Sequence, residues 1–283
     1  MSILLIGNIY SKSALRLADE ALRMDIDFDM VSRDDILWNE SIPYTATNID
    51  FLNYDKYFFR GLGDKTNEMQ LLARYLVAHG KKVIEACFAE RGFPEDKLVP
   101  PSREGNYLVP RSQVVDCLDS DIKSAISEFE FPFIVKKLGL GSSQGKMVEL
   151  VDDEDGLKTF MEGKTGPFLF QEYHPITHDT RVLVVGGKCL GGFDRYKGPT
   201  ERFLTNRKKG GGKFIKSDLL PGQIKAAVEA TKQQGLMIAG IDMFIAEDGS
   251  VGIFEVNSSP QFTIFEKYTK LNVAEEILTL LSA

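Results

Sequence analysis

The chain is predicted to be a mixed α/β protein, with a small open parallel-sheet unit at its start and an α+β part after it. Three observations predict this. Strand-like and helix-like segments alternate over residues 1–93, as in β-α-β units. Two apolar alternating segments at 240–245 and 251–256 flank Glu247-Asp248-Gly249-Ser250, which is a hairpin signal. A hydrophobic content of 43% with 27% charged residues suits a globular core, and 283 residues allow one large domain or two to three small ones.

Taken in order, residues 2–6 read as a buried first strand. Apolar residues at 14, 15, 17, 18, 21 and 22 predict a helix over 13–24. Residues 28–31, 56–61 and 82–86 are further strands, and 67–79 is a helix stopped by Gly80. Gly7-Asn8 lacks the later glycines of a dinucleotide fingerprint. Arg60 falls at the carboxyl end of a strand, where open parallel sheets bind ligands, or it is an ordinary loop arginine. Pro94 to Pro110 is rich in Pro, Gly and charge and reads as a junction. Beyond it come a helix over 120–128, strands over 131–137, 147–151 and 168–173, and a helix over 154–161. Strands at 182–185 and 189–196 flank a Gly186-Gly187 turn; helices over 223–234 and 274–281 complete the chain. The expected division is 1–93, 94–187 and 188–283.

Asp242, Glu255 and Asn257 fall on the late hairpin. Glu255 and Asn257 are two apart and share a strand face, which Asp242 can meet from the facing strand. Such groups are costly to bury on an apolar hairpin unless paired. An oxygen-only set with room for phosphate oxygens suits Mg²⁺, with Mn²⁺ as a substitute. Gly139 to Lys146 joins two strands through a Gly/Ser loop, including Gly141, Ser142 and Ser143, whose backbone N–H groups can approach phosphate. It is no Walker loop, because Lys146 leads into a strand rather than a helix. Lys136, just before it, offers a point charge to phosphate. The run 201–212 is basic and glycine-rich in a chain of net charge −7, which suggests an anionic ligand there. The acidic balance disfavours nucleic acid, and no apolar run approaches the ~20 residues that span a bilayer. Three cysteines without metal spacing suit a reduced, cytoplasmic setting.

In their order, these motifs resemble the ATP-grasp superfamily and, within it, the RimK-like carboxylate–amine ligases, from about Arg60 to the end of the chain. The order is Lys136, the Gly/Ser flap, Gln171-Glu172-Tyr173, Asp179-x-Arg181, Phe203-x-x-Asn206, Asp242 and Glu255-x-Asn257. The resemblance implies an ATP-grasp fold that binds ATP and Mg²⁺. It implies that Lys136 and Lys97 contact phosphates, Lys97 being chosen over Lys65 for its spacing to Lys136. Gly141, Ser142 and Ser143 would belong to the flap. Gln171, Glu172 and Tyr173 would lie at the adenine hinge and Asp179 at the ribose. Asp242, Glu255 and Asn257 would hold Mg²⁺, and Arg181, Arg202 and Asn206 would contact the transferred phosphoryl group or the acceptor. Where the family often reads Phe-Arg-Ser-Asn this chain has Phe203-Leu204-Thr205-Asn206, so Arg202 or Arg207 is expected to substitute.

The implied chemistry is phosphorylation of a carboxylate by ATP, then displacement of phosphate by an amine. The substrate would be an amino acid or a peptide- or protein-borne carboxylate, which would make peptide modification its use; a dimer or tetramer is implied by resemblance only. No Cys-His or Ser-His constellation competes, and His79, His174 and His178 are expected to serve packing. A phosphotransferase on the same fold and a nucleotide-binding module for a peptide partner are the alternatives.

Overall fold

The computed structural model describes residues 1–91, 101, 104–116, 126–138, 147–205 and 211–283. Its first sheet runs in the order β2-β1-β5-β6, all parallel, with β1 Ser2–Gly7, β2 Asp27–Ser32, β5 Lys56–Arg60 and β6 Lys82–Val83. Ile3 to Ile6 are fully buried, as a central parallel strand covered on both faces requires. Helix α1, Lys12–Arg23, is capped by Ser11, whose Oγ accepts the Ala14 N–H at 3.1 Å, and it buries Ala14, Leu17 and Ala21. Helix α2, Thr66–Ala78, buries Met69, Leu72, Ala73 and Leu76. A short hairpin of β3, Ile36–Asn39, and β4, Ile42–Thr45, was not predicted: its four-residue strands give too little alternation to stand out. After β6 comes a short helix, α3, Cys87–Arg91.

The second sheet, β7-β10-β8-β9, is antiparallel and comprises β7 Ser112–Val115, β8 Phe133–Lys137, β9 Val148–Val151 and β10 Phe168–Glu172. Helix α4, Glu154–Met161, packs on it through Leu157, and Phe133, Phe168 and Phe170 fill the layer between. The third sheet, β13-β12-β11-β14-β15, is also antiparallel, with β11 His178–Val185, β12 Lys188–Tyr196, β13 Lys213–Ser217, β14 Ile238–Ile245 and β15 Val251–Asn257. Because β11 belongs here, this sheet begins before the expected boundary at 187.

The third sheet is covered on both faces, and side-chain alternation separates them. Val182, Val184, Ile241 and Met243 pack with Ala226, Ala227 and Ala230 of α5, Pro221–Gln233. Leu183, Val185, Phe193 and Ile238 face the other way. There they share one core with Ile3, Leu5, Leu17 and Phe58 of the first unit and with α6, Thr263–Thr269, and α7, Val273–Ser282. Asp179, Arg181, Arg195 and Asp242 lie on this second face by the same alternation.

Candidate active site

The candidate site is a cleft between the second and third sheets. Ile134, Lys136, Val148 and Gln171 line one wall; Asp179, Arg195, Asp242, Phe254 and Glu255 line the other, and 172–174 and 203–205 complete it. On the first wall Lys136 Nζ donates to Gln171 Oε1 at 2.6 Å, and Gln171 Nε2 donates to Ser112 Oγ at 3.1 Å. At the expected hinge the Glu172 N–H donates to the Arg111 carbonyl at 2.8 Å, and Glu172 Oε2 accepts the Arg111 N–H at 3.0 Å. Tyr173 follows directly and lines the cleft.

The second wall depends on strand register. Asp242 pairs with Glu255 and Gly240 with Asn257, so the three predicted metal-binding side chains share one end of one sheet face. A bulge sets this register: counted outward from the Glu247–Ser250 turn, an unbroken ladder would put Phe254 opposite Asp242, but the shift between Asp242 and Met243 brings Glu255 there. It also turns Phe254 to the cleft, where its ring stacks on Phe244 at 4.2 Å; Phe244 in turn meets the His174 ring at 4.9 Å.

Four charges alternate beneath this pair. Arg195 Nε donates to Asp179 Oδ1 at 2.8 Å, and its Nη2 is paired with Asp179 Oδ2. The same Nη2 lies 2.9 Å from Asp242 Oδ1. Arg181 Nη2 donates to Asp242 Oδ2 at 3.0 Å, and its Nε lies 2.5 Å from Oδ1. Burial pushes the Asp242 carboxyl up, but the two guanidinium groups outweigh it and hold the group below the usual carboxylate range. Burial pulls the Arg195 guanidinium down, and Asp179 and Asp242 overcome it, raising its pKa.

The set fits a hard divalent cation. Its donors are oxygens, and Asp242 Oδ1 is buried with no aligned hydrogen bond, so it keeps acceptor capacity. Asn257 Nδ2 donates to the Gly240 carbonyl at 3.0 Å, which orients the carboxamide. Among the described residues no cluster of three or more His, Cys, Asp or Glu is placed to hold a metal, so such a site would use Asn257 and ligand oxygens as well.

Several expected site residues sit differently. Asp179, expected at the ribose, has both oxygens engaged by Arg195. Arg202, expected on the phosphoryl group or acceptor, instead grips Asp152 next to β9, with Nη1 donating to Oδ2 at 2.8 Å and Nη2 paired with Oδ1. Lys97, Gly141, Ser142, Ser143 and Asn206 lie outside the described residues. Lys65 lies on the surface, 3.5 Å from Glu68. Arg60 is buried, not a loop residue: Nη2 donates to the Pro260 carbonyl at 2.6 Å, and burial lowers its pKa to about 10.

Arg195 and Phe254 were missed by the sequence reading. Arg195 carried a signal: counting from the Gly186-Gly187 turn brings it to within one residue of Asp179, and the bulge at Leu183/Val184 supplies the difference. Phe254 carried none, since only the second bulge decides which way it points.

The RimK-like ATP-grasp domain profile matches residues 108–281. The chain belongs to the RimK-like ATP-grasp family. Over 155 residues it is 34% identical to a probable alpha-L-glutamate ligase of Picosynechococcus sp., covering 53% of this chain and 50% of that one. Over 149 residues it is 31% identical to human (Homo sapiens) beta-citrylglutamate synthase B, covering 51% and 38% of the two chains. The matches thus span about half or less of these relatives' length. Macrocyclase MdnC from Microcystis aeruginosa, solved with precursor peptide MdnA, superposes with a TM-score of 0.70 at 16% identity over 99% of both chains, which shows a shared ATP-grasp fold.

Proposed function

We propose that the chain is an ATP-dependent carboxylate–amine ligase that forms an amide bond through an acyl phosphate and releases ADP and phosphate. The observation that carries this reading is the Asp242–Glu255 register pair, with Asn257 on the same face, opposite the Lys136–Gln171 wall. Family membership and relatives named as glutamate ligases support it. Solved neighbours that include complexes with precursor peptides support a peptide-borne carboxylate, and relatives named as glutamate ligases support a free amino acid as a substrate. A cytoplasmic setting, where ATP is available, suits the reaction.

In this reading Asp242, Glu255 and Asn257 hold Mg²⁺, which when bound neutralises phosphate oxygens of ATP. A solved neighbour with Mg and ADP supports that pairing. Lys136 places a cation on the phosphates, and Lys97 with the 139–146 loop adds to it. Ile134, Val148 and Phe254 form the apolar walls for adenine, and Glu172 and Tyr173 meet its edge at the hinge. Asp179 holds Arg195, and Arg195 steadies Asp242. Arg181 contacts the transferred phosphoryl group or the acceptor, and Asn206 is proposed to join it, while Arg202 is held by Asp152. The carboxylate oxygen attacks the γ-phosphorus and ADP leaves; the amine then attacks the acyl carbon, phosphate leaves, and the amine loses a proton. Positioning and charge neutralisation suffice for such a transfer. Residues 1–93 would serve as the N-terminal unit ahead of the nucleotide flap and the catalytic part, with the flap and catalytic part meeting between β10 and β11 rather than at 187.

The test is release of ADP and phosphate from Mg²⁺-ATP with a panel of amino acids, dipeptides and acidic peptides, for wild type, Glu255→Gln and Asn257→Ala. Turnover is expected only with a carboxylate and an amine together, and both variants are expected to lower it by about 10²-fold or more. Turnover on a carboxylate alone, with a stable phosphorylated product, would instead indicate a phosphotransferase.

A further inference from the structure

Two arginines neutralise Asp242, and they are not held alike. Arg195 is gripped from behind by Asp179 through both carboxylate oxygens, and its side chain is 8% exposed. Arg181 is 19% exposed and has Asp242 as its one acidic partner among the described residues. Its Nε lies 2.5 Å from Asp242 Oδ1 yet has no aligned hydrogen bond, so a buried donor stays unsatisfied in this arrangement. We propose that Arg181 and the divalent cation compete for the Asp242 carboxylate, so that metal loading frees Arg181 to bind the anionic oxygens of the substrate.

The proposal rests on the ligase reading, in which Asp242 is a metal ligand. A dication on Asp242 would share one carboxylate with two guanidinium groups, and cations this close repel strongly where water is scarce. Arg195 stays, because its pairing with Asp179 is independent of Asp242. Arg181 has no second acid among the described residues and leaves, carrying an unsatisfied Nε–H that an anion can accept. Arg181 thereby acts as a resting counter-ion for the empty carboxylate and as an anion ligand once the metal is in place. Linkage then requires that metal raise anion affinity and that anion raise metal affinity by the same factor.

The experiment measures Mn²⁺ binding by electron paramagnetic resonance on the full chain with saturating ADP, with and without inorganic phosphate as the anion probe. Removing a competitor tightens metal binding, so Arg181→Gln is expected to bind Mn²⁺ about fivefold more tightly than wild type, the lower end of typical couplings between sites. It is also expected to lose the gain in Mn²⁺ affinity that phosphate produces in wild type. Arg181→Lys, which keeps the charge but loses the forked contact, should fall between the two. If Arg181 merely orients Asp242, Arg181→Gln would bind Mn²⁺ more weakly; that outcome, or no change, overturns the proposal. Glu255→Gln separates the two failures. If it weakens Mn²⁺ binding while Arg181→Gln fails to tighten it, the metal reading stands and the exchange is wrong. If it leaves Mn²⁺ binding unchanged, both are wrong. Arg195 still neutralises Asp242 in the Arg181 variants, and thermal melts followed by circular dichroism check that each is folded.

Discussion

Asp242 sits between two guanidinium groups, and its pH behaviour follows from that. Its folded pKa lies below the unfolded value of about 3.9. The stabilisation it contributes is therefore complete above that unfolded value and is lost as pH falls through the lower folded one. Asp242→Asn removes this contribution and leaves Arg181 with no acidic partner among the described residues. It is expected to cost about 3–5 kcal/mol near neutral pH, as when one member of a buried ion pair is removed. Urea midpoints measured from pH 6 to pH 2.5 should fall more steeply below about pH 4 in wild type than in the variant. Arg202 is the opposite case: its pair with Asp152 is solvent-exposed on both sides. Arg202→Ala should leave the melting temperature nearly unchanged, so any fall in turnover would report on how the 197–205 segment meets β9.

Glycines decide how closely the elements approach at the site. A Cβ on Gly240 of β14 would lie 2.6 Å from Arg181 Nη1 and 2.7 Å from Pro260 Cβ. The arginine tip can move, but the proline ring after β15 cannot do so cheaply. Gly240→Ala should therefore cost about 1–3 kcal/mol in denaturant unfolding and also lower turnover, because it pushes on Arg181. Gly7 closes β1 at φ +150°, and a Cβ there would lie 1.6 Å from the Arg60 carbonyl oxygen. That clash is backbone to side chain, with no flexible partner, so Gly7→Ala should lose about 3 kcal/mol or more and reduce soluble yield. The helices and central strands were legible in the residues, since α1, α2, β1, β14 and β15 announce themselves by period and turn chemistry. β13, with Lys213 and Lys216 around Phe214 and Ile215, was not: three of its five residues are exposed, so its pattern resembles a basic loop.

At the scale of the molecule, the first unit is built into the third sheet. The two share a core, and polar contacts close the seam. The Glu85 carboxylate accepts the N–H groups of Met237 at 2.6 Å and Ile238 at 2.8 Å, at the entry to β14. Ser13 Oγ donates to Gln261 at 2.8 Å, and the Gly61 N–H donates to Ser259 Oγ at 3.2 Å. Arg60 reaches Pro260, three residues past Asn257, between the rings of Phe58 and Phe262. Unfolding should thus be one cooperative transition by calorimetry, with no separate melting of residues 1–91. Glu85→Ala, which strands the buried Ile238 N–H and the part-buried Met237 N–H, should lower the stability of the whole by about 1–3 kcal/mol in the same measurement. A fragment of residues 108–281 would expose Leu183, Val185, Phe265 and Ile277 and should be aggregation-prone when expressed alone.

The residues alone disclosed the α/β class, the late hairpin, and the identity of Asp242, Glu255, Asn257, Lys136, Gln171 and Arg181 as groups worth placing together. These are local matters: alternation, turn composition, and a run of motifs whose order survives in one dimension. Folding decided who faces whom. Two one-residue bulges choose Glu255 over Phe254 as the partner of Asp242 and bring Asp179 to Arg195. A slip of one residue in a strand reverses every side chain, so no reading of composition could settle either. Arg60 and Pro260 are 200 residues apart, and Asp242 stands 61 residues from Arg181. Contacts that distant in sequence exist only because three sheets pack together, and the electrostatics of the cleft arise from that packing.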